Sequence, residues 1–219
     1  MPQDEKFKNF MRCICICHDA ITLISDGKHS YQGANQDEIT FLEMCKRVGY
    51  CYCKERDDQF ITIVLDGAEE RYEILRMIEF TSERKMMSVI VKRNDGKIIN
   101  FVKGGDISML PRLNPASITA EKDSINLMNE HAAKGLRTLM FGFKMLEEKE
   151  DIKKADSSKL ENGLEMLGVT GVEDCLQENV ANCIKDLRRA NIKLWMLTGD
   201  KGETAHNIAI ACGLIDPSL

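Results

Sequence analysis

The sequence predicts an α+β fold, an antiparallel sheet flanked by helices, followed by the start of a parallel α/β segment. Two observations carry the first part. Apolar runs between 60 and 103 are joined by Asp66-Gly67 and by Asn94-Asp95-Gly96, residue pairs that accept the positive φ of tight hairpin turns. Helical spacings lie on both sides of this block. A third observation carries the second part. Ile192–Ile215 runs from an apolar stretch through Thr198-Gly199-Asp200 into a helix pattern of Ala205, Ile208, Ala209 and Cys212, closing at Gly213.

In order along the chain, residues 7–24 are apolar and read equally as helix or strand, and Ser25-Asp26-Gly27-Lys28 reads as a turn. A helix is expected over 37–48, with Ile39, Leu42 and Cys45 on one face. Strands follow at Phe60–Leu65, Tyr72–Phe80, Met87–Lys92 and Lys97–Val102. Thr119 is expected to cap a helix running to Lys134, with Ile125, Met128 and Ala132 inward and Gly135 at its end. Leu139, Phe141, Phe143 and Met145 alternate with other residues as a strand. The charged stretch 147–162 reads as an exposed helix or loop. Met166–Val172, a helix with Val180, Cys183, Ile184 and Leu187 on its apolar face, and Ile192–Leu197 then read as a βαβ unit with parallel strands. Arg188 and Arg189 complement that helix's C-terminal dipole. A boundary is therefore expected near 163–170, separating domains at 1–165 and 166–219.

Composition narrows the function classes. With 219 residues and 43% hydrophobic content, the chain can bury a substantial core. Its 35 acidic residues exceed its 30 Lys and Arg, and no basic block stands out, which argues against nucleic-acid binding. No run approaches the roughly 18 apolar residues of a membrane span, and no signal sequence opens the chain, so a soluble piece is expected. The nine cysteines show C-x-C spacings at Cys13, Cys15, Cys17 and at Cys51, Cys53, not the C-x₂-C pairs of zinc sites. Buried free thiols in a reducing compartment are expected, and no metal site.

Four constellations offer chemistry. Asp200 ends an expected strand, where it either caps a helix or lines a site. Asp174, at the end of the preceding strand region, would face the same crevice. Backbone N–H groups at such a helix start attract anions. Lys103-Gly104-Gly105-Asp106 is either a hairpin exit or a place where a ligand approaches bare backbone. Phe80 precedes Arg84 and Lys85, so a stacking ring stands beside two cations, unless it is a core ring followed by a charged turn. Arg137 opens a strand after Gly135 and reads otherwise as a surface arginine.

Together these segments resemble the P-type ATPases, in particular their phospholipid-flippase (type IV) branch. YQGANQDEITFLEMCKRVGY is similar to the family's YQ…PDE segment, and YEILRMIEFTSERKMMSVIV to its EF-x-S-x-RKRMSV segment. Lys103-Gly104-Gly105 resembles KGA, and Gly135–Leu139 matches GLRTL. Val172–Gln177 resembles IEDKLQ, and the last segment resembles WVLTGDKQETAINI. The resemblance covers nearly the whole chain.

The resemblance implies a nucleotide-binding domain inserted into a haloacid-dehalogenase-like phosphorylation domain, of which 166–219 would be an incomplete piece. It implies that Glu38 meets the adenine edge, Phe80 stacks on the base, Lys103 lies beside base and ribose, and Arg137 contacts phosphates, with Lys85 a further candidate. Asp174, Thr198, Gly199 and Asp200 would line the phosphoryl-transfer site. ATP with Mg²⁺ is the implied substrate, the metal's ligands lying mostly elsewhere. Phospholipid and an accessory membrane subunit would meet only a membrane part of the parent protein, on whose cytoplasmic side this piece would sit.

Four positions depart from the family pattern. Gln36 stands where proline is usual, Gly105 for alanine, Met86 for an arginine and Gly202 for a glutamine. The DKTGT aspartate, the TGES loop and GDGxND do not occur. Phosphoryl transfer needs an in-line nucleophile and a charge-neutralising metal. The expectation is therefore a piece that binds nucleotide without turning it over. A free-standing haloacid-dehalogenase-like phosphatase and a non-catalytic interaction module built on the cysteine-rich N-terminus are the alternatives.

Overall fold

Both expected hairpins form with the backbone their residues favour. In the computed structural model, which describes residues 3–25, 27–147, 152–173, 175–198 and 202–215, Asp66 and Gly67 take φ of 51° and 77°. Two consecutive positive φ values match the right-handed twist of the flanking strands. In the other hairpin only Gly96 is left-handed, at φ 85°, and its N–H donates to the Arg93 carbonyl at 2.9 Å.

The first helix, α1, spans Gln3–Ile16. Met11 to Cys17 are all buried. A helix end enclosed on every side carries no amphipathic period, so 7–24 was legible as helix or strand alike. A small hairpin follows, β1 (Ile21–Ser25) with β2 (Lys28–Gln32). The helix α2 (Gln36–Val48) starts at Asn35, whose side chain accepts from the Asp37 N–H, and ends at Gly49 in the left-handed region.

Seven strands then form one sheet in chain order: β3 (Cys51–Arg56), β4 (Phe60–Leu65), β5 (Ala68–Ile78), β6 (Met86–Arg93), β7 (Ile98–Gly104), β8 (Arg137–Leu146) and β9 (Glu165–Val172). Every neighbouring pair is antiparallel. Between β7 and β8 lie α3 (Asp106–Met109), α4 (Pro115–Ala120) and α5 (Lys122–Ala133). After β8 come α6 (Ser157–Leu160) and, beyond β9, α7 (Val180–Arg189) and α8 (Gly202–Ala211).

The sheet's two faces carry separate cores. Met87, Val89, Val91, Ile99, Phe101, Phe141 and Phe143 pack with α1 and α2 on one face. On the other, Met86, Val102, Met128 and Met140 form one cluster, and Ile90, Ile98, Leu146, Ile152 and Leu160 another. Successive strand residues point to opposite faces, so Lys103 shares a face with Phe101 and the helices.

Several expectations are corrected. Asn114, not Thr119, caps the helix after β7, accepting from the Ser117 N–H at 2.6 Å. Thr119 lies inside α4, bonded back to the Pro115 carbonyl. A second helix starts at Lys122, and Ala132 is exposed. The charged stretch 147–162 is not wholly solvated, because Ile152, Leu160 and Glu161 are buried beneath the sheet. Cys175 and Cys183 are exposed, unlike the other seven thiols.

The largest correction concerns the expected βαβ unit. Glu165–Val172 is a strand, but it pairs antiparallel with β8 along most of its length. Residues 192–198 carry no regular secondary structure, so no parallel partner is present among the described residues. An apolar run fixes burial tendency, not the strand it pairs with; β8 had already offered an edge. The helix pattern after Thr198 does form α8, closed by Gly213 at φ 73°.

Candidate functional site

Four residues singled out in the sequence converge on one cleft at the end of the sheet that faces α2. Glu38 comes from the first turn of α2, Lys103 from the end of β7, Arg137 from the start of β8, and Phe80 from the loop after β5. Two adjoining pockets share Asn35, Glu38, Phe80 and Met87. The inner one, about 190 Å³, adds Asp37, Lys103, Gly104, Arg137 and Leu139. The outer one, about 390 Å³, adds Asp19, Ala34, Gln36 and Glu79.

The cleft holds four acidic residues, Asp19, Asp37, Glu38 and Glu79, and two basic ones, Lys103 and Arg137, both of which are ion-paired. Lys103 Nζ donates to Glu38 Oε1 at 2.6 Å, and both side chains are buried. The other carboxylate oxygen accepts the Asp19 backbone N–H at 2.8 Å. Removing either partner of a buried ion pair strands a charge and costs several kcal/mol, roughly 3–5. Nearer solvent, Arg137 donates to both oxygens of Asp37, at 2.9 and 3.2 Å. Phe80 keeps 57% of its surface exposed beside these groups, with Met87 and Leu139 also lining the cleft. An exposed ring over an apolar floor, with cations at hand, suits a flat aromatic group bearing an anionic tail.

The Asn35-x-x-Glu38 spacing looks like a capping box. Glu38 instead turns to Lys103 and Asp19, and this is a site signal that helix grammar hides. Asp19 is presented by His18. The His18 Nε2–H donates to the Cys15 carbonyl at 3.0 Å, and Nδ1 accepts the Ala20 N–H at 3.1 Å. This places the proton on Nε2. Burial, with Arg56 and Lys103 nearby, pushes the imidazole well below its usual range.

The remaining expected residues are placed differently. Lys85 is exposed, left-handed at φ 52°, and does not line either pocket. Arg84 lines neither pocket and pairs with the buried Glu161. Met86, which stands where the family pattern has an arginine, is fully buried in the opposite core, and Met87 lines the cleft. Gly104 serves packing: a Cβ there would lie 2.6 Å from Met86 Cβ and 2.8 Å from the Lys85 carbonyl oxygen. Gly105 faces open space. Asp174, Gly199 and Asp200 lie outside the described residues. Thr198 is exposed and does not line the Glu38 cleft. Asp37, Asn35 and Leu139 were missed in the sequence, because an exposed acid, a cap and a strand residue carry no distinguishing pattern.

Six thiols are packed into the first core. Cys13, Cys15, Cys17, Cys45, Cys51 and Cys53 are buried, and the Cys15 and Cys51 sulfurs lie 3.3 Å apart. Burial pushes Cys17 up to about 12 and Cys53 to about 11, leaving negligible thiolate at neutral pH. Among the described residues, no group of three or more His, Cys, Asp or Glu side chains is arranged to hold a metal ion.

An antiparallel sheet with helices packed on both faces and a charged, ring-bearing cleft at one end of its strands defines the class. The model of the family described as P-type ATPase, cytoplasmic domain N, matches residues 6–179. The chain is 35% identical over 235 residues to probable phospholipid-transporting ATPase 12 of Arabidopsis thaliana, covering 95% of this chain and 20% of that protein. It is 34% identical over 237 residues to phospholipid-transporting ATPase IK of Mus musculus, covering 99% and 18%. Against phospholipid-transporting ATPase IC of Xenopus tropicalis it is 34% identical over 239 residues, covering 98% and 18%. The chain therefore belongs to the P-type ATPases, in their type IV branch, and carries the cytoplasmic domain N fold. It spans about a fifth of the length of these relatives. Among the described residues, no helix is long and apolar enough to cross a membrane.

Proposed function

We propose that this chain is the ATP-binding part of a phospholipid-translocating P-type ATPase, in which ATP hydrolysis drives lipid transfer across a membrane. The supporting observation is the convergence of Glu38, Phe80, Lys103 and Arg137, from four separate elements, on one cleft. In this reading the base stacks on Phe80, and its polar edge meets Glu38. Lys103 flanks base and ribose. Arg137 leaves Asp37 to meet the phosphates. Lys85, exposed in the same loop as Phe80, is assigned as a secondary contact.

Asp174, Thr198, Gly199 and Asp200 are assigned to a phosphoryl-transfer site completed by other parts of the protein, where Mg²⁺ would supply charge neutralisation. In the cleft itself, Glu38 and Asp37 serve Lys103 and Arg137. The division between nucleotide-binding and phosphorylation domains is proposed to fall after Val172, because β9 hydrogen-bonds to β8. Turnover is not expected of this chain alone, since the DKTGT nucleophile is absent from its sequence. Lipid and any membrane subunit would be met elsewhere in the parent protein.

Calorimetric titration of ATP into the wild-type chain and Phe80→Ala tests the reading. Loss of stacking should weaken binding about fivefold to a hundredfold, since base–aromatic stacking is worth about 1–3 kcal/mol. Equal affinities would remove Phe80 from the site.

A further inference from the structure

The loop that carries Phe80 is held from behind by a segment whose sequence looks merely solvated. Phe80 is 57% exposed, so little packing fixes its ring, and its position depends on the backbone of 79–85. Besides the Arg84 N–H bond to Thr81 Oγ1 at 3.2 Å, three ties hold that backbone. The Lys85 N–H donates to the Thr81 carbonyl at 2.8 Å, closing the loop on itself. The Gly105 N–H donates to the Lys85 carbonyl at 3.1 Å, joining the loop's end to the strand of Lys103. The third tie is Arg84. Its Nη1 donates at 2.6 Å to the carbonyl of Glu79, the peptide group immediately before Phe80.

Arg84 is itself gripped by Glu161. Glu161 is 2% exposed and accepts from Arg84 Nη2, and also from Ser88 Oγ at 2.6 Å. Glu161 sits on a firmly seated segment. Ile152 and Leu160 are buried with Ile90, Ile98 and Leu146. Arg76 donates to the Ile152 and Ala155 carbonyls at 3.0 and 2.7 Å, and Asn100 Nδ2 to the Leu160 carbonyl at 3.0 Å. A buried carboxylate is retained only with good partners. Here its cationic partner spans from the sheet's far face to the cleft's exposed aromatic residue.

We propose that Glu161 and Arg84 form a brace that positions Phe80, making the 152–161 segment part of the nucleotide site without touching the ligand. The inference rests on the nucleotide reading of the cleft for its functional meaning. Both are positioning residues. The brace orders the loop before binding, so the ligand does not have to.

Two measurements on the whole chain test it. In amide hydrogen exchange without ligand, Glu161→Gln and Arg84→Ala should speed exchange across 79–85 and leave the α1 and α2 amides unchanged. Unchanged loop exchange overturns the brace even if ATP binds. In ATP titration, Glu161→Gln should weaken binding about threefold to tenfold, with Arg84→Lys partly retaining affinity. The same substitution in a Phe80→Ala background should have no further effect, because the brace acts through that ring. An equal loss in both backgrounds would reduce the pair to a structural role. If the wild-type chain fails to bind ATP while loop exchange responds as expected, the brace stands and the ligand reading falls.

Discussion

Gly104 and Gly105 are neighbours with opposite constraints. The tetrapeptide containing them suggested that both leave room for a ligand. Gly104 is instead pressed against Met86 and the Lys85 carbonyl, while Gly105 opens α3 with space around it. Gly104→Ala should therefore destabilise the fold by roughly 1–3 kcal/mol, as overpacking against backbone does. Gly105→Ala, the family's usual residue, should stay within about 0.5 kcal/mol. Thermal melts of both variants check the contrast; equal shifts would contradict it. Residue identity thus exposed a special backbone position, but which neighbour required it depended on how β6 lies against β7.

At the scale of elements, the start of α2 shows what local grammar supplies. Asn35 caps the helix, and Asp37 and Glu38 sit in its first turn, as capping and dipole rules expect. Gln36 occupies the first helical position, where proline is pre-organised, and Asn35 already has the extended φ and ψ of −99° and 107° that precede proline well. Gln36→Pro should raise stability by about 0.4–1 kcal/mol through a less flexible unfolded chain. A higher urea midpoint with an unchanged slope is the expected reading; a lower midpoint would mean that the Gln36 N–H or side chain carries a needed contact. The same rules found β9 as a strand but misread its partner and the strand at 192–197, because strand pairing is a choice between edges made at long range. They also misread 147–162, where Ile152 and Leu160, widely spaced among charges, join one apolar cluster with Ile90, Ile98 and Leu146.

For the molecule as a whole, His18 links core and cleft. Its imidazole is buried, its carbonyl accepts from Arg56, and the next residue's N–H holds Glu38. The unfolded chain takes up a proton at His18 near pH 6.5, whereas the folded chain stays neutral there. The unfolded state binds more protons, so the fold loses stability as pH falls below 6.5, by about 1.4 kcal/mol per unit until the folded pKa is reached. Urea midpoints at pH 7.5 and 5.5 should converge more in His18→Gln than in wild type. Parallel declines would place the acid sensitivity in other groups.

The sequence by itself determined the two hairpins of the large sheet, the helices α2, α5, α7 and α8, much of the apolar core and four residues of the cleft. Those signals are local: turn chemistry at Asp66-Gly67, spacing in α2, and motif strings around Phe80, Lys103 and Arg137. Only the tertiary structure decided that β9 closes the antiparallel sheet, that Met87 and not Met86 lines the cleft, and that Glu38 is held between Lys103 and Asp19. It also decided that Glu161 is a buried partner of Arg84. These outcomes depend on which strand edges meet and which face each residue takes. Neither is encoded in neighbouring residues, because both are settled by packing across the whole sheet.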